Sequence, residues 1–218
     1  GDMDVLSASS ADDTIAWYEN DGSENFTMHT ITTAADGAVS VYAEDIDGDG
    51  DMDVLSASYN DDTVAWYEND GSGMFTTHAV TTNADGARSV WALDLDGDGD
   101  TDILSASADN DTIAWYENDG SEHFSPHTIT AFAVGANAVS AADLDGDGDM
   151  DVLSASADDH RIAWYENDGS EHFNPHTITA FAAGANAVSA ADLDGDGDTD
   201  ILSASADNNT VAWHENDG

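Results

Sequence analysis

Cysteine is absent, and the only fixed positive charges are Arg88 and Arg161, against 47 aspartates and glutamates. The first absence excludes disulfides, thiolate metal sites and cysteine nucleophiles. The second excludes the Lys and Arg clusters that affinity for phosphate requires, so neither nucleic acid nor an anionic membrane surface is an expected partner. Long apolar runs are missing too, and the chain opens on GDMD, so neither a membrane-inserted segment nor a signal peptide is expected. What remains is a chain of 218 residues with 40% hydrophobic content, enough for a substantial core. Its formal net charge of −45 would expand a compact chain unless cations neutralise it.

The acidic residues are not scattered. A period of 49 residues runs through the chain, with AWYENDG or a close variant ending at Gly22, Gly71, Gly120, Gly169 and Gly218. Residues 121–169 and 170–218 align without a gap and differ at nine of 49 positions. A pocket that occurs once is hard to build from such copies. Every full period carries one acidic loop: DIDGDGDMD at Asp45, DLDGDGDTD at Asp94, DLDGDGDMD at Asp143 and DLDGDGDTD at Asp192. Alternate carboxylates repel strongly if left bare, so the loop reads as a cage for a hard divalent cation.

Numbering from Asp45, the side chains of Asp45, Asp47, Asp49 and Asp53 are the expected ligands, with Asp51 lending its backbone carbonyl and Gly50 permitting the sharp turn. The other cages are Asp94, Asp96, Asp98, Asp100 and Asp102; Asp143, Asp145, Asp147, Asp149 and Asp151; and Asp192, Asp194, Asp196, Asp198 and Asp200. An EF-hand would need Glu at the twelfth position and flanking helices, but Ser56 stands there amid strand-like sequence. Calcium is the expected ion, four in all; magnesium prefers stricter octahedral geometry. Four such ions would leave a net charge of about −37.

Around each loop the period reads as four short strands: Ala38 to Ala43, Asp53 to Ser58, Thr63 to Glu68 and Phe75 to Thr82. In IAWYEN, Ile15, Trp17 and Glu19 face one way and Ala16, Tyr18 and Asn20 the other, with a hairpin turn at Asp21-Gly22. Four antiparallel strands per repeat of this length predict an all-β propeller blade; a solenoid is the alternative. Approximate repeat units are 1–33, 34–82, 83–131, 132–180 and 181–218 of one array, about four and a half blades with eighteen strands.

Here the residues resemble a known family. The D-x-D-x-D-G-x-x-D loop between paired strands, matched four times, is similar to FG-GAP or VCBS-type repeats, seen in calcium-binding propellers including integrin alpha-chain heads. The resemblance covers essentially the whole chain and implies a propeller with metal loops on one rim. Family propellers commonly have about seven blades. This chain is therefore expected to close as a defective ring, pair with a second chain, or belong to a longer array. A longer parent or an assembly is favoured.

The remaining candidates have simpler readings. His29, His78, His127 and His176 each follow a Phe by three residues with no His partner in sequence, and read as structural. His123, His160, His172 and His214 read as scattered and exposed. Trp17, Trp66, Trp115, Trp164 and Trp213 read as repeat core, with stacking on sugar rings as the alternative. Phe132 and Phe181 replace Ala34 and Asn83 and point to blade contacts or association. Asn25, Asn110 and Asn208 head possible glycosylation sequons.

No constellation occurring once offers a nucleophile, acid or base, so an enzyme is not expected. Loops that need millimolar calcium favour an extracellular or cell-surface setting. The expected function is a non-enzymatic calcium-binding module for adhesion, surface or filament assembly, whose partners are other protein chains or further copies of itself. Alternatives are a carbohydrate-binding propeller lectin and a scaffold segment of an exported polysaccharide-degrading enzyme.

Overall fold

In a computed structural model, which describes residues 2–218, five antiparallel meander sheets follow one another along the chain. The first has three strands, β1 (Val5–Ser9), β2 (Thr14–Asn20) and β3 (Phe26–Thr32). The second is β4 (Ala38–Glu44), β5 (Asp53–Ser58), β6 (Thr63–Asn69) and β7 (Phe75–Thr81). The third repeats it with β8 (Ala87–Leu93), β9 (Asp102–Ser107), β10 (Thr112–Asn118) and β11 (Phe124–Thr130). The fourth comprises β12 (Ala136–Ala142), β13 (Asp151–Ser156), β14 (Arg161–Asn167) and β15 (Phe173–Thr179). The last has β16 (Ala185–Ala191), β17 (Asp200–Ser205) and β18 (Thr210–His214). The described residues contain no helix. This is the propeller-type arrangement that the repeat predicts, and every expected strand lies within a residue of its predicted bounds.

Each of the three interior sheets is apolar on both faces because it is sandwiched between two neighbours. Along β6, Val64 and Trp66 pack forward with Leu55 and Ala57 against Val90, Ala92, Ile103 and Tyr116 of the third sheet. Ala65 and Tyr67 of the same strand pack backward with Val54 against Ile15 and Leu6 of the first sheet. The alternation in IAWYEN thus separates two cores, not core from solvent. Fully burying a side chain such as Leu55 or Val64 is worth about 1.5–3 kcal/mol, so each joint between sheets is a substantial apolar contact. The innermost strands β4, β8, β12 and β16 lie against one another in turn.

Two features recur in each full sheet and shape the blade. The register shifts between Ala38 and Ser40 where β4 meets β5, and between Val64 and Ala65 where β6 meets β7, bulges that increase local twist. Inside the sheet, Ser56 Oγ and Tyr67 Oη lie 3.0 Å apart, pairing the buried hydroxyls. The last sheet substitutes His214 for that tyrosine, and its Nε2 lies 3.0 Å from Ser203 Oγ. His214 is consequently half-buried, unlike His123, His160 and His172, which are exposed as expected.

The turn after β2 is longer than a two-residue hairpin. It runs from Asp21 to Asn25, closed by a 3.1 Å bond from Asp21 N to Asn25 O, and the Asp21 carboxylate accepts from Ser23 N at 2.8 Å. The side chain takes over turn-forming work that a glycine pair alone would do in a tighter loop. Asn25, Asn110 and Asn208 are all exposed. So are Phe132 and Phe181, which sit on the surface and not in a blade contact.

Candidate metal centre

Each acidic loop joins the first and second strands of its sheet, and its own backbone amides fold it. Asp45 accepts from Gly48 N at 2.9 Å through Oδ1 and from Gly50 N at 3.0 Å through Oδ2. Asp47 accepts from Asp49 N at 3.1 Å and Asp49 from Asp51 N at 2.8 Å, so alternate aspartates stitch the loop forward two residues at a time. Gly50 has φ +96, a left-handed conformation that admits no other residue without strain. At the loop's end Asp53 is fully buried, and its two oxygens accept from Asn69 N at 2.7 Å and Ile46 N at 3.0 Å.

This folding brings Asp45, Asp47 and Asp53 together, with one carboxylate oxygen of each within 4.8 Å of the others. The same triads form at Asp94, Asp96 and Asp102, at Asp143, Asp145 and Asp151, and at Asp192, Asp194 and Asp200. The remaining aspartates of each expected cage lie outside the triads. Asp49, Asp98, Asp147 and Asp196 turn an oxygen to the amide two residues on. Asp51, Asp100 and Asp149 set their carboxylates against Gly71, Gly120 and Gly169 of the ENDG turn so closely that a Cβ there would overlap them. That contact accounts for the glycine ending each AWYENDG.

The triads fit a hard cation by donor chemistry and by charge. All donors are oxygen, and each carboxylate oxygen that accepts one amide keeps a second lone pair. Burial pushes Asp102 up to about 7 and Asp151 up to about 6, against the bonds from their amide partners, while Asp53 is raised for the same reason. Asp47, Asp96 and Asp145 are raised by desolvation first, then by neighbouring carboxylates. Asp200 is lowered, because the Asn216 amide bond outweighs desolvation in the last sheet. The first three bare triads therefore resist full ionisation, and a bound cation would remove that penalty. The four triads could each hold one metal ion.

Supporting groups surround the first three triads. Glu68, Glu117 and Glu166 are close enough to raise Asp47, Asp96 and Asp145 by charge. Each glutamate is paired with the recurring histidine: His78 Nε2 lies 2.8 Å from Glu68, His127 2.8 Å from Glu117 and His176 2.7 Å from Glu166. That histidine stacks on the tryptophan at 4.6 Å in each of these three sheets, so the FxxH residue is a strut between core and loop. The buried indole N–H of Trp66 helps lower Asp53 but lies beyond hydrogen-bond geometry and has no partner.

The loops are also tied to the next sheet. Asn118 Nδ2 donates to Ile46 O of the preceding loop at 3.3 Å and to Thr101 O at 3.1 Å. Asn167 reaches Leu95 O at 3.4 Å and Asn216 reaches Leu144 O at 2.8 Å. Thr101 Oγ1 adds a 3.1 Å bond to Asp45 O. The first three cages are therefore clamped from the following blade, a role for the ENDG asparagine that sequence reasoning missed. Its only signal was its recurrence beside the loop's partner strand.

Comparison with known proteins agrees with this architecture. The model of the FG-GAP-like repeat matches four overlapping stretches, residues 1–56, 45–105, 94–154 and 143–203. No curated protein sequence matches the chain. Among solved structures, it is similar to an Agrocybe aegerita lectin described by specific recognition of non-reducing terminal N-acetylglucosamine, with 19% identity and a TM-score of 0.59 over 92% of this chain. It is also similar to a putative 6-phosphogluconolactonase from Bacteroides uniformis, with 15% identity and a TM-score of 0.58 over 96% of this chain. The chain spans 60% and 66% of the length of those two proteins, and at such identities the likeness is one of fold.

Proposed function

The chain belongs to the family of FG-GAP-like repeats, and from that premise we propose that it is a non-enzymatic, extracellular calcium-binding module for adhesion or assembly. The observation that carries this reading is the repetition of one oxygen-only triad four times, the first three clamped by the neighbouring sheet. Calcium supplies positive charge to a chain of formal charge −45 and tolerates the irregular oxygen geometry of a flexible loop. The chain's residues do the rest: three aspartates present oxygens, the loop amides orient them, and the asparagine holds the loop against the next blade. Repeated equivalent faces then offer partners several weak contacts at once. Calorimetric titration of chelator-stripped protein should give four calcium ions per chain; no heat of binding at about 1 mM calcium would overturn the reading.

One observation favours a carbohydrate reading as second choice. A cleft of about 380 Å³ between the third and fourth sheets is lined by the half-buried Phe173 together with Asp94, Asn167 and Glu171, an aromatic edge beside polar groups. Likeness to an N-acetylglucosamine-recognising lectin supports it. Binding on a glycan array that the calcium-loaded chain alone produces would decide for it.

A further inference from the structure

Aspartate followed by glycine occurs fifteen times in the chain, and such a pair is prone to rearrange its own backbone. The glycine nitrogen can attack the aspartate's own Cγ, since no Cβ on the glycine obstructs the approach. The N–Cγ bond forms, the Cγ–OH bond breaks, and the hydroxyl and the amide proton leave as water. The succinimide ring then takes up water at either carbonyl. One opening restores aspartate; the other gives isoaspartate, whose main chain runs through Cγ and is one carbon longer. An amide whose proton is held by another acceptor is withheld from this attack. In all fifteen pairs the glycine N–H is held by a side-chain oxygen.

The fifteen pairs fall into two groups. Seven lie in the ENDG turns or just before a first strand, and their glycines are packed as well as hydrogen-bonded. Gly37 sits against the Asn60 side chain, Gly86 against Asp109 and Gly71 against Asp51. The other eight lie in the acidic loops, two to a loop, and no atom lies within 4 Å of where a Cβ would stand on those glycines. There the hydrogen bonds act alone, and both come from one residue. Asp94 holds Gly97 N at 2.8 Å through Oδ1 and Gly99 N at 3.1 Å through Oδ2. Asp45, Asp143 and Asp192 do the same in their loops. Each of these aspartates is also a triad member, so without an ion it faces two neighbouring carboxylates whose charge nothing offsets.

We propose that the acidic loops are sites of spontaneous backbone modification, at Asp47-Gly48, Asp49-Gly50 and the equivalent pairs of the other three loops. Two guards hold the reaction in check: the first aspartate of each loop, and the ion bound beside it. The second guard rests on the calcium reading, in which a cation offsets the triad carboxylates and keeps the loop closed on its own amides. Isoaspartate at Asp47 displaces a triad carboxylate and lengthens the loop, so a loop that has converted there loses its cage permanently. At Asp49, which lies outside the triad, conversion alters loop length alone. The chain thereby accumulates a covalent record of time spent without its ions.

Prolonged incubation below the metal-free melting temperature, in calcium and in excess chelator, tests this when followed by digestion and mass-spectrometric location of isoaspartate. The chain in urea gives the unguarded reference, in which both groups of pairs should convert. In chelator the folded chain should convert at the loop pairs and stay at background at the packed ones. Calcium at about 1 mM should slow the loop pairs about tenfold if Kd is about 0.1 mM. In chelator, Asp94→Ala should raise conversion at Asp96-Gly97 and Asp98-Gly99 and at no other loop. Asp94→Asn keeps one acceptor oxygen and serves should the alanine variant fail to fold; it should raise only one of those two pairs. Loop pairs as inert in chelator as the packed pairs, or rates that neither substitution moves, would overturn the proposal. Inert loops in a chain whose melting still responds to calcium would sink the modification sites alone. Loop-selective conversion at one rate in both solutions, with coincident melts, would sink the calcium reading and leave the modification sites standing.

Discussion

The buried aspartate that closes each loop holds the loop backbone and, in the proposed site, would also hold the ion. Asp102 accepts Asn118 N at 2.8 Å and Leu95 N at 3.1 Å, yet burial holds its carboxyl up to about 7. Asp151 is held at about 6 by the same cause. An unfolded aspartate titrates near about 3.9, so between that value and the folded one the native chain binds more protons than the unfolded chain. Metal-free stability should therefore fall as pH rises from about 4 to about 7. The penalty is absent below the unfolded value and complete above the folded one. Calcium requires the ionised carboxylate, so its stabilising effect should grow across the same window. Melting in chelator and in calcium from about pH 5 to about pH 8 checks both slopes. A metal-free melting temperature that climbs with pH through this range would contradict the burial argument.

At the level of strands and loops, much was legible and some was not. The D-x-D-x-D-G loops, the two-residue alternation of IAWYEN and the Asn-Asp-Gly turns placed eighteen strands, because each signal is local and repeated four or five times. The triad of Asp45, Asp47 and Asp53 was contained in the expected cage, but the direction of Asp51 toward Gly71 depends on a turn from another part of the sheet. Asn118 was opaque for the same reason: its bond to Ile46 O spans 72 residues. Asn118→Ala should remove that clamp and leave buried carbonyls short of a donor, costing about 1–3 kcal/mol. It should also weaken calcium binding at one site of the four by a few-fold, since the Asp45 loop loses its tether. Titration of the variant beside the parent chain reads the difference; four unchanged affinities would show that the clamp serves packing alone.

Across the whole molecule, charge and covalent connectivity leave few other sources of stability. There is no disulfide, and only Arg161 makes an ion pair through a fixed cation, with Asp159 at 3.6 Å among the described residues. Apolar joints between sheets hold neighbours together locally, as in other repeat arrays where each unit contacts only the next. The acidic loops add a cross-sheet clamp to three of those joints, and bound calcium would strengthen the loops. If each site binds with a Kd of about 0.1 mM and free calcium is about 1 mM, linkage contributes roughly 1.4 kcal/mol per site, or about 6 kcal/mol over four. That is comparable with the net stability of many domains. The most direct test of the account is thermal unfolding of the chain in calcium and in excess chelator. Aspartate triads that staple successive sheets predict a melting temperature lower by on the order of 10–20 °C in chelator. Coincident melts in the two solutions would contradict it.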